Sequence, residues 1–460
     1  MPRILVDTRP LRESPAYRRM FWGLGVSQIG TQVTVVAVGL EVYHLTSSTF
    51  AVGLLGISAL VPLVVLGLYG GALADAYDRR TVSLIAAGVT VTATAGLAVQ
   101  AALALESPGV LYGLVALQSA GSAVYVPARM AIIPRLVGKD LLPAANALGA
   151  LTGSVGLMVG PLLGALLAAQ VGYALTYSLD LVLFLFALYA LLRLPHLPPD
   201  VAAAEAAADR VDADADADPP DPADTSAGAL TPVAEPPQRR RVGFAAVWEG
   251  LGYLRTRRNV RMTFLLDIVA MVLAMPRVLF PAVGAVILGG GETTTGLLTA
   301  AIAVGSVLAS AFSGGLGRVR RQGVAIVVAI CAFGACTLGF GVTLLVAGRT
   351  EPDSVIVPLL VIGGLFLIGS GISDAISSVF RQTVLQSATP DHLRGRLQGV
   401  FIVVVAGGPR LGDLVLGSAA TWWGEALAAV GGGVLCIAVV LLLAGRNRSF
   451  LRYDARHPVA

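Results

Sequence analysis

Apolar residues along this chain neither alternate nor form narrow stripes; they run for about 20 positions at a time, between short polar interruptions rich in arginine. A helix rises 1.5 Å per residue, so a run of that length crosses the hydrocarbon core of a bilayer. Twelve such runs are read, at about 19–44, 51–74, 82–105, 109–133, 149–170, 173–194, 260–288, 295–316, 323–348, 355–378, 398–421 and 425–445. They predict an all-α membrane protein with twelve transmembrane helices. The first run carries no small-residue cleavage site and is read as a retained helix, not a signal peptide.

The pattern changes once. Residues 195–243 are rich in Asp, Ala and Pro and read as a disordered, acidic, Pro-rich cytoplasmic linker. It separates an N-terminal six-helix bundle (1–194) from a C-terminal one (259–446), with a cytoplasmic tail at 447–460. Within 244–258, Phe244, Val247, Trp248, Leu251 and Leu254 share one helical face, followed by Arg255, Arg257 and Arg258. This predicts an amphipathic helix on the inner membrane surface.

Composition narrows the class. The chain is 56% hydrophobic and 13% charged, with a mean hydropathy of +0.79, which excludes an ordinary soluble domain. Placing both termini in the cytoplasm puts 29 of the 32 Lys+Arg in inside segments, leaving Arg349 outside and Arg277 and Arg410 within helices. Positive charge spread along one membrane face serves topology and argues against nucleic acid as a partner. Cys331, Cys336 and Cys436 show no metal-ligand spacing and no disulfide framework. There is no phosphate-binding G-x-x-x-x-G-K-[ST] and no H-E-x-x-H, so an ATP-driven pump and a zinc protease are disfavoured and no enzyme activity or metal site is expected. Every basic residue but Lys139 is arginine and alanine is abundant, which suits a GC-rich bacterial genome; the expected location is the bacterial inner membrane.

The halves echo each other. Arg129 is followed by Leu141 and Asn146 at the offsets that separate Arg381 from Leu393 and Gln398. GALADAYDRR (71–80) and GGLGRVRRQG (314–323) occupy the same loop in each half. Parallel six-helix repeats are the architecture of the major facilitator transporters, whose substrate path runs between the halves. GALADAYDRR resembles that family's loop motif through Gly71, Leu73, Asp75, Arg79 and Arg80, while Ala76 and Asp78 depart from it. With Arg129, Arg381 and Asp374 these residues form a candidate gate; Asp374–Arg381 is a candidate salt bridge. In GSVGLMVGPLLGALL (153–167), Gly156, Gly160, Pro161 and Gly164 match the G-x-x-x-G-P-x-x-G pattern that resembles the antiporter motif of facilitator exporters. The glycines permit close helix approach and Pro161 is expected to bend the helix, at the interface of the halves.

Charges inside the membrane cost about 2.5–3.5 kcal/mol each at mid-depth and persist where they have partners or a function. Asp267 and Arg277 in the seventh run and Arg410 and Asp413 in the eleventh are the candidate substrate and proton pathway, with Asp180 a weaker member. Arg410 and Asp413 are three apart and neighbours on a helix face. Glu41 and His44 fall at the outer end of the first helix, in contact with solvent.

DIVAMVLAMPRVLFPAV, GLLTAAIAVGSVLASAFSGGLGRVRR and ISSVFRQTVLQSATPDHLRGRLQGVF resemble the enterobactin-exporter branch of the facilitator superfamily, with Pro390, Asp391, Leu393, Gly395 and Arg396 as its more specific element. The resemblance implies a monomeric, proton-driven exporter without cofactor, moving a small molecule, a siderophore in the first instance. Uptake of a proton by Asp413 or Asp267 would loosen pairing with Arg410 or Arg277. A multidrug or macrolide effluxer and a non-transporting membrane sensor are the alternatives.

Overall fold

The computed structural model describes residues 7–130, 132–194, 252, 254–311, 319–387 and 391–454. The first half holds α1 (Pro15–Thr46), α2 (Thr49–Ala76), α3 (Arg79–Ala102) and α4 (Pro108–Met130). A helical stretch then runs over Ile133–Leu192, 60 residues, which as one rod would be about 90 Å long, three bilayer cores. It folds back instead at Gly172 (φ 82°), a backbone conformation that glycine adopts without penalty. Residues 139–171 and 173–192 are therefore two passes, α5 and α6. The second half holds α7 (Arg258–Ile287), α8 (Gly291–Ala311), α9 (Gln322–Ala347), α10 (Val357–Ser387), α11 (Asp391–Trp423) and α12 (Glu425–Arg446). Twelve helical passes result among the described residues, as the apolar runs predict. The linker at 195–243 and the surface helix at 244–258 lie outside the described residues, apart from Gly252 and 254–258.

The repeat is visible in the backbone. α11 and α12 are joined at Gly424 (φ 83°), the counterpart of Gly172 between α5 and α6. Gly172 and Gly424 stand 252 positions apart, as do Arg129 and Arg381. Asp78, where the resemblance expects glycine, starts α3: its side chain accepts the amides of Arg80 (2.7 Å) and Thr81 (3.3 Å) as a helix cap. Large apolar side chains face outward, with Val346 71% and Ile85 66% exposed, as contact with lipid requires.

Arg9 and Phe450 lie at one end of the bundle, here the terminal end; Ser47 and Glu425 lie at the other, the distal end. At the distal end a single apolar core joins both halves, through Val42, Leu97 and Tyr177 on one side and Phe280, Phe340 and Leu416 on the other. Toward the terminal end the core divides. One cluster belongs to the first half (Met20, Tyr125, Phe184) and another to the second (Phe264, Phe333, Val440). Among the described residues the halves share one core distally and keep separate cores toward the terminal end, the arrangement of one state of an alternating-access carrier. The seal is tight: a Cβ on Gly53 of α2 would lie 2.6 Å from the Asp413 carbonyl, and one on Gly417 of α11 would lie 2.8 Å from the Thr49 carbonyl.

Candidate transport cavity

α7 is not one rod. Pro276 has no amide hydrogen and disfavours helical backbone in the residue before it. Met275 is accordingly extended (φ −92°, ψ 100°), Pro276–Leu279 makes a 3₁₀ turn, and the chain resumes as Phe280–Ala282 and a π-turn at Val283–Ile287. Neighbouring hydroxyls satisfy carbonyls around the break. Thr337 of α9 donates to the Ala274 carbonyl at 2.8 Å, and Thr295 of α8 donates to that of Phe280 at 3.1 Å. Irregular backbone at membrane depth is tolerated only where protein or a cavity encloses it.

Arg277 sits in this break and faces a cavity of about 560 Å³ between the halves. α1, α2, α4 and α5 supply one wall, with Gln32, Thr34, Gln118 and Ser154 as its polar groups. α7, α8 and α11 supply the other, and all the charged lining residues, Arg277, Arg410 and Asp413, belong to it. Arg277 grips Asp413 with two parallel hydrogen bonds, Nε to Oδ1 at 3.2 Å and Nη2 to Oδ2 at 3.1 Å. The bidentate geometry joins α7 to α11 immediately below the distal seal. Asp413 therefore pairs across helices with Arg277, and not with Arg410 on its own helix face. Arg410 instead donates from Nη1 to the Ala406 carbonyl at 2.5 Å and meets no carboxylate among the described residues.

Asp267 is absent from this cavity. Ten residues before Arg277 on a straight helix would share its face, but the break intervenes. Asp267 pairs with Arg381 of α10, both side chains only 3% exposed, and Arg381 also reaches Asp374 at 3.3 Å. This cluster lies wholly within the second half, so among the described residues the Asp374–Arg381 bridge does not span the halves as a gate would. Asp180 stands one layer behind the cavity wall, where it accepts from Thr34 Oγ1 at 2.6 Å. Of the loop motif, the side chains of Gly71, Asp75 and Arg79 lie outside the described residues. Arg80 donates to the Leu192 carbonyl at 2.8 Å, and the Arg129 guanidinium lies 5.6 Å from the centre of the Tyr125 ring.

The glycine run has a different partner from the one expected. A Cβ on Gly156 would lie 2.8 Å from Gln28, one on Gly160 2.5 Å from Gln32, and one on Gly164 2.7 Å from the Val33 carbonyl, all on α1. The glycines thus seat α5 on α1 within the first half. The interface with the second half is made by the adjoining residues: Ala165 touches Gly296 of α8, and Pro161 lines the cavity. Backbone dihedrals stay helical through Pro161; only Gly138 and Gly172 depart from them in this stretch. Gly164→Ala pushes a methyl into backbone and is expected to destabilise by about 1–3 kcal/mol. Gly153→Ala, with nothing within 4 Å of its Cβ, is the silent control, and melting in detergent separates the two.

Two buried carboxylates escape the charge pattern. Glu41 is not in contact with solvent: at 6% exposure it accepts from Gln100 at 2.9 Å and from Tyr177 at 2.5 Å. His44, one turn on, is exposed as expected. Glu425 accepts from Thr49 of the first half at 3.1 Å and lies 3.8 Å from Arg349, a polar clasp across the distal seal. The burial of both is set by partners from distant helices.

The family model described as Major Facilitator Superfamily matches residues 20–412. The enterobactin exporter EntS of Salmonella typhi is 29% identical over 450 residues, covering 97% of this chain and 96% of the relative. That of Escherichia coli O81 (strain ED1a) is 28% identical over 445 residues, covering 95% and 94%. Among solved structures, a POT family transporter in complex with a thioalcohol conjugated peptide superposes with TM-score 0.68 at 12% identity, covering 94% of this chain and 96% of its own. A D-xylose–proton symporter gives TM-score 0.65 at 12% identity, covering 93% and 96%.

Proposed function

This chain belongs to the Major Facilitator Superfamily, and on that footing we propose that it is a proton-coupled secondary exporter of a siderophore-type organic anion in a bacterial inner membrane. The observation that carries the reading is the cavity's charge: among the described residues, Asp413 neutralises one guanidinium and leaves a second, Arg410, as net positive charge on the wall of an enclosure shared by the halves. A cationic or neutral drug gains little from that wall, whereas catechol or carboxylate oxygens match guanidinium forks. Full-length similarity to proteins named enterobactin exporters supports the same cargo. Positive-inside bias supports a cytoplasmic terminal end. The distal seal then closes the outside, and the cavity loads from within, as export requires.

Asp413 is the proposed proton carrier. The proton's effect is carried by geometry rather than by charge, since neutralising Asp413 only raises the positive excess around an anion. A proton taken from outside as the seal parts unties α7 from α11 and keeps the seal open while the anion leaves. The test is enterobactin uptake into inverted membrane vesicles containing the full chain. Accumulation driven by an acid interior, collapsed by a protonophore, supports the reading. Accumulation of ethidium with no movement of enterobactin favours the multidrug alternative.

A further inference from the structure

Two arginines face one cavity, but their surroundings differ. Arg277 has its fork filled by Asp413. Arg410 follows Pro409, which supplies no amide hydrogen to its own helix, and the Arg410 side chain turns back one helical turn to the Ala406 carbonyl. α11 runs from the terminal to the distal end, so this turn aims the guanidinium toward the terminal end of the cavity. Its Nε and Nη2 hydrogens, the edge that matches two adjacent oxygens, meet no protein acceptor among the described residues. The backbone beneath is fixed: a Cβ on Gly56 of α2 would lie 2.6 Å from the Arg410 carbonyl. Opposite, the wall from the first half carries no charge among the described residues.

We infer that Arg410 is the anion receptor of the cavity and that the Arg277–Asp413 pair, one turn nearer the seal, takes no part in holding the anion. This rests on the exporter reading above and divides the labour within it: one arginine sets what is bound, the other reports the proton. The anion docks on the second half, on the mouth side of the pair, and its uncharged body lies against Gln32, Gln118 and Leu157 of the first. The free edge offers two parallel N–H groups, so ligands that present a pair of neighbouring oxygens, a carboxylate or a vicinal catechol, are the class expected.

Binding of 2,3-dihydroxybenzoate and of enterobactin to the purified full chain, by equilibrium dialysis in detergent, tests the division. Arg410→Gln is expected to weaken both by about tenfold or more, and Arg410→Lys, which keeps charge but loses the fork, to fall between. The double variant Arg277→Gln/Asp413→Asn removes the pair as a neutral unit and is expected to bind within about threefold of wild type. Gel filtration and melting confirm that each variant is folded. Should Arg410→Gln bind as wild type does, or the double variant lose as much as Arg410→Gln, the assignment is overturned while the exporter reading stands. Should wild type bind neither anion, both fall together.

Discussion

Arg381→Ala is expected to destabilise the protein by about 3–5 kcal/mol, more than any other single change proposed for it. Arg381 and Asp267 are both 3% exposed at the α7–α10 contact. Removing the arginine strands the Asp267 carboxylate in a site packed by Phe264, Ala270 and Phe380, where an uncompensated charge is at its most costly. The reverse change, Asp267→Ala, is expected to cost less, because Arg381 retains Asp374, whose side chain is 37% exposed. The asymmetry is the diagnostic. Asp267→Asn/Arg381→Gln, which removes both charges, is expected to recover much of the loss, since a buried pair replaced as a unit is often near neutral. Melting in detergent and folded yield measure all three. Transport per folded molecule is expected to survive in the double variant, because this cluster ties helices within one half and does not line the cavity.

That prediction could not have been framed from the sequence, and the reason is physical. Charges in apolar runs announce themselves by cost alone, so Asp267, Arg277, Arg410 and Asp413 were legible as important. Their pairing was not. Counting residues along an ideal helix put Asp267 and Arg277 on one face and Asp413 beside Arg410. A single extended residue at Met275 undoes the first, and a closer helix undoes the second. Pro276 forces that break, and what a broken helix does with its side chains depends on the helix that meets it. Twelve passes, by contrast, were legible because bilayer thickness imposes one length on every run. The Gly172 turn fell between two such runs, where the chain had to reverse. Glu41 shows the converse limit. A position near a helix end suggests solvent, while burial is decided by Gln100 and Tyr177, which lie 59 and 136 residues away. The glycines of α5 were legible as a packing surface, but a glycine pattern says how near a neighbour comes and not which neighbour it is.

Asp413→Asn is the second large effect, and it falls on coupling. Asparagine at this position keeps size and can still accept one hydrogen bond from Arg277, but it carries neither the proton nor the charge that makes the bidentate pair strong. Accumulation of enterobactin against its gradient, driven by a pH difference, is expected to fall to background. Exchange of internal for external enterobactin, which needs alternating access but no net proton movement, is expected to persist. The geometry adds a conformational readout. The Asp413 backbone packs on Gly53 at the seal, and the pair holds α11 to α7 at the same level. Weakening the pair should therefore shift the population toward the distally open state. Val52 of α2 is 8% exposed within that seal. In a background with Cys331, Cys336 and Cys436 replaced, Val52→Cys is expected to react slowly with a membrane-impermeant maleimide added from outside, and several-fold faster once Asp413→Asn is present. Loss of exchange together with loss of gradient-driven accumulation would reassign Asp413 from coupling to the fabric of the cavity. Unchanged labelling would break the link drawn between the pair and the seal.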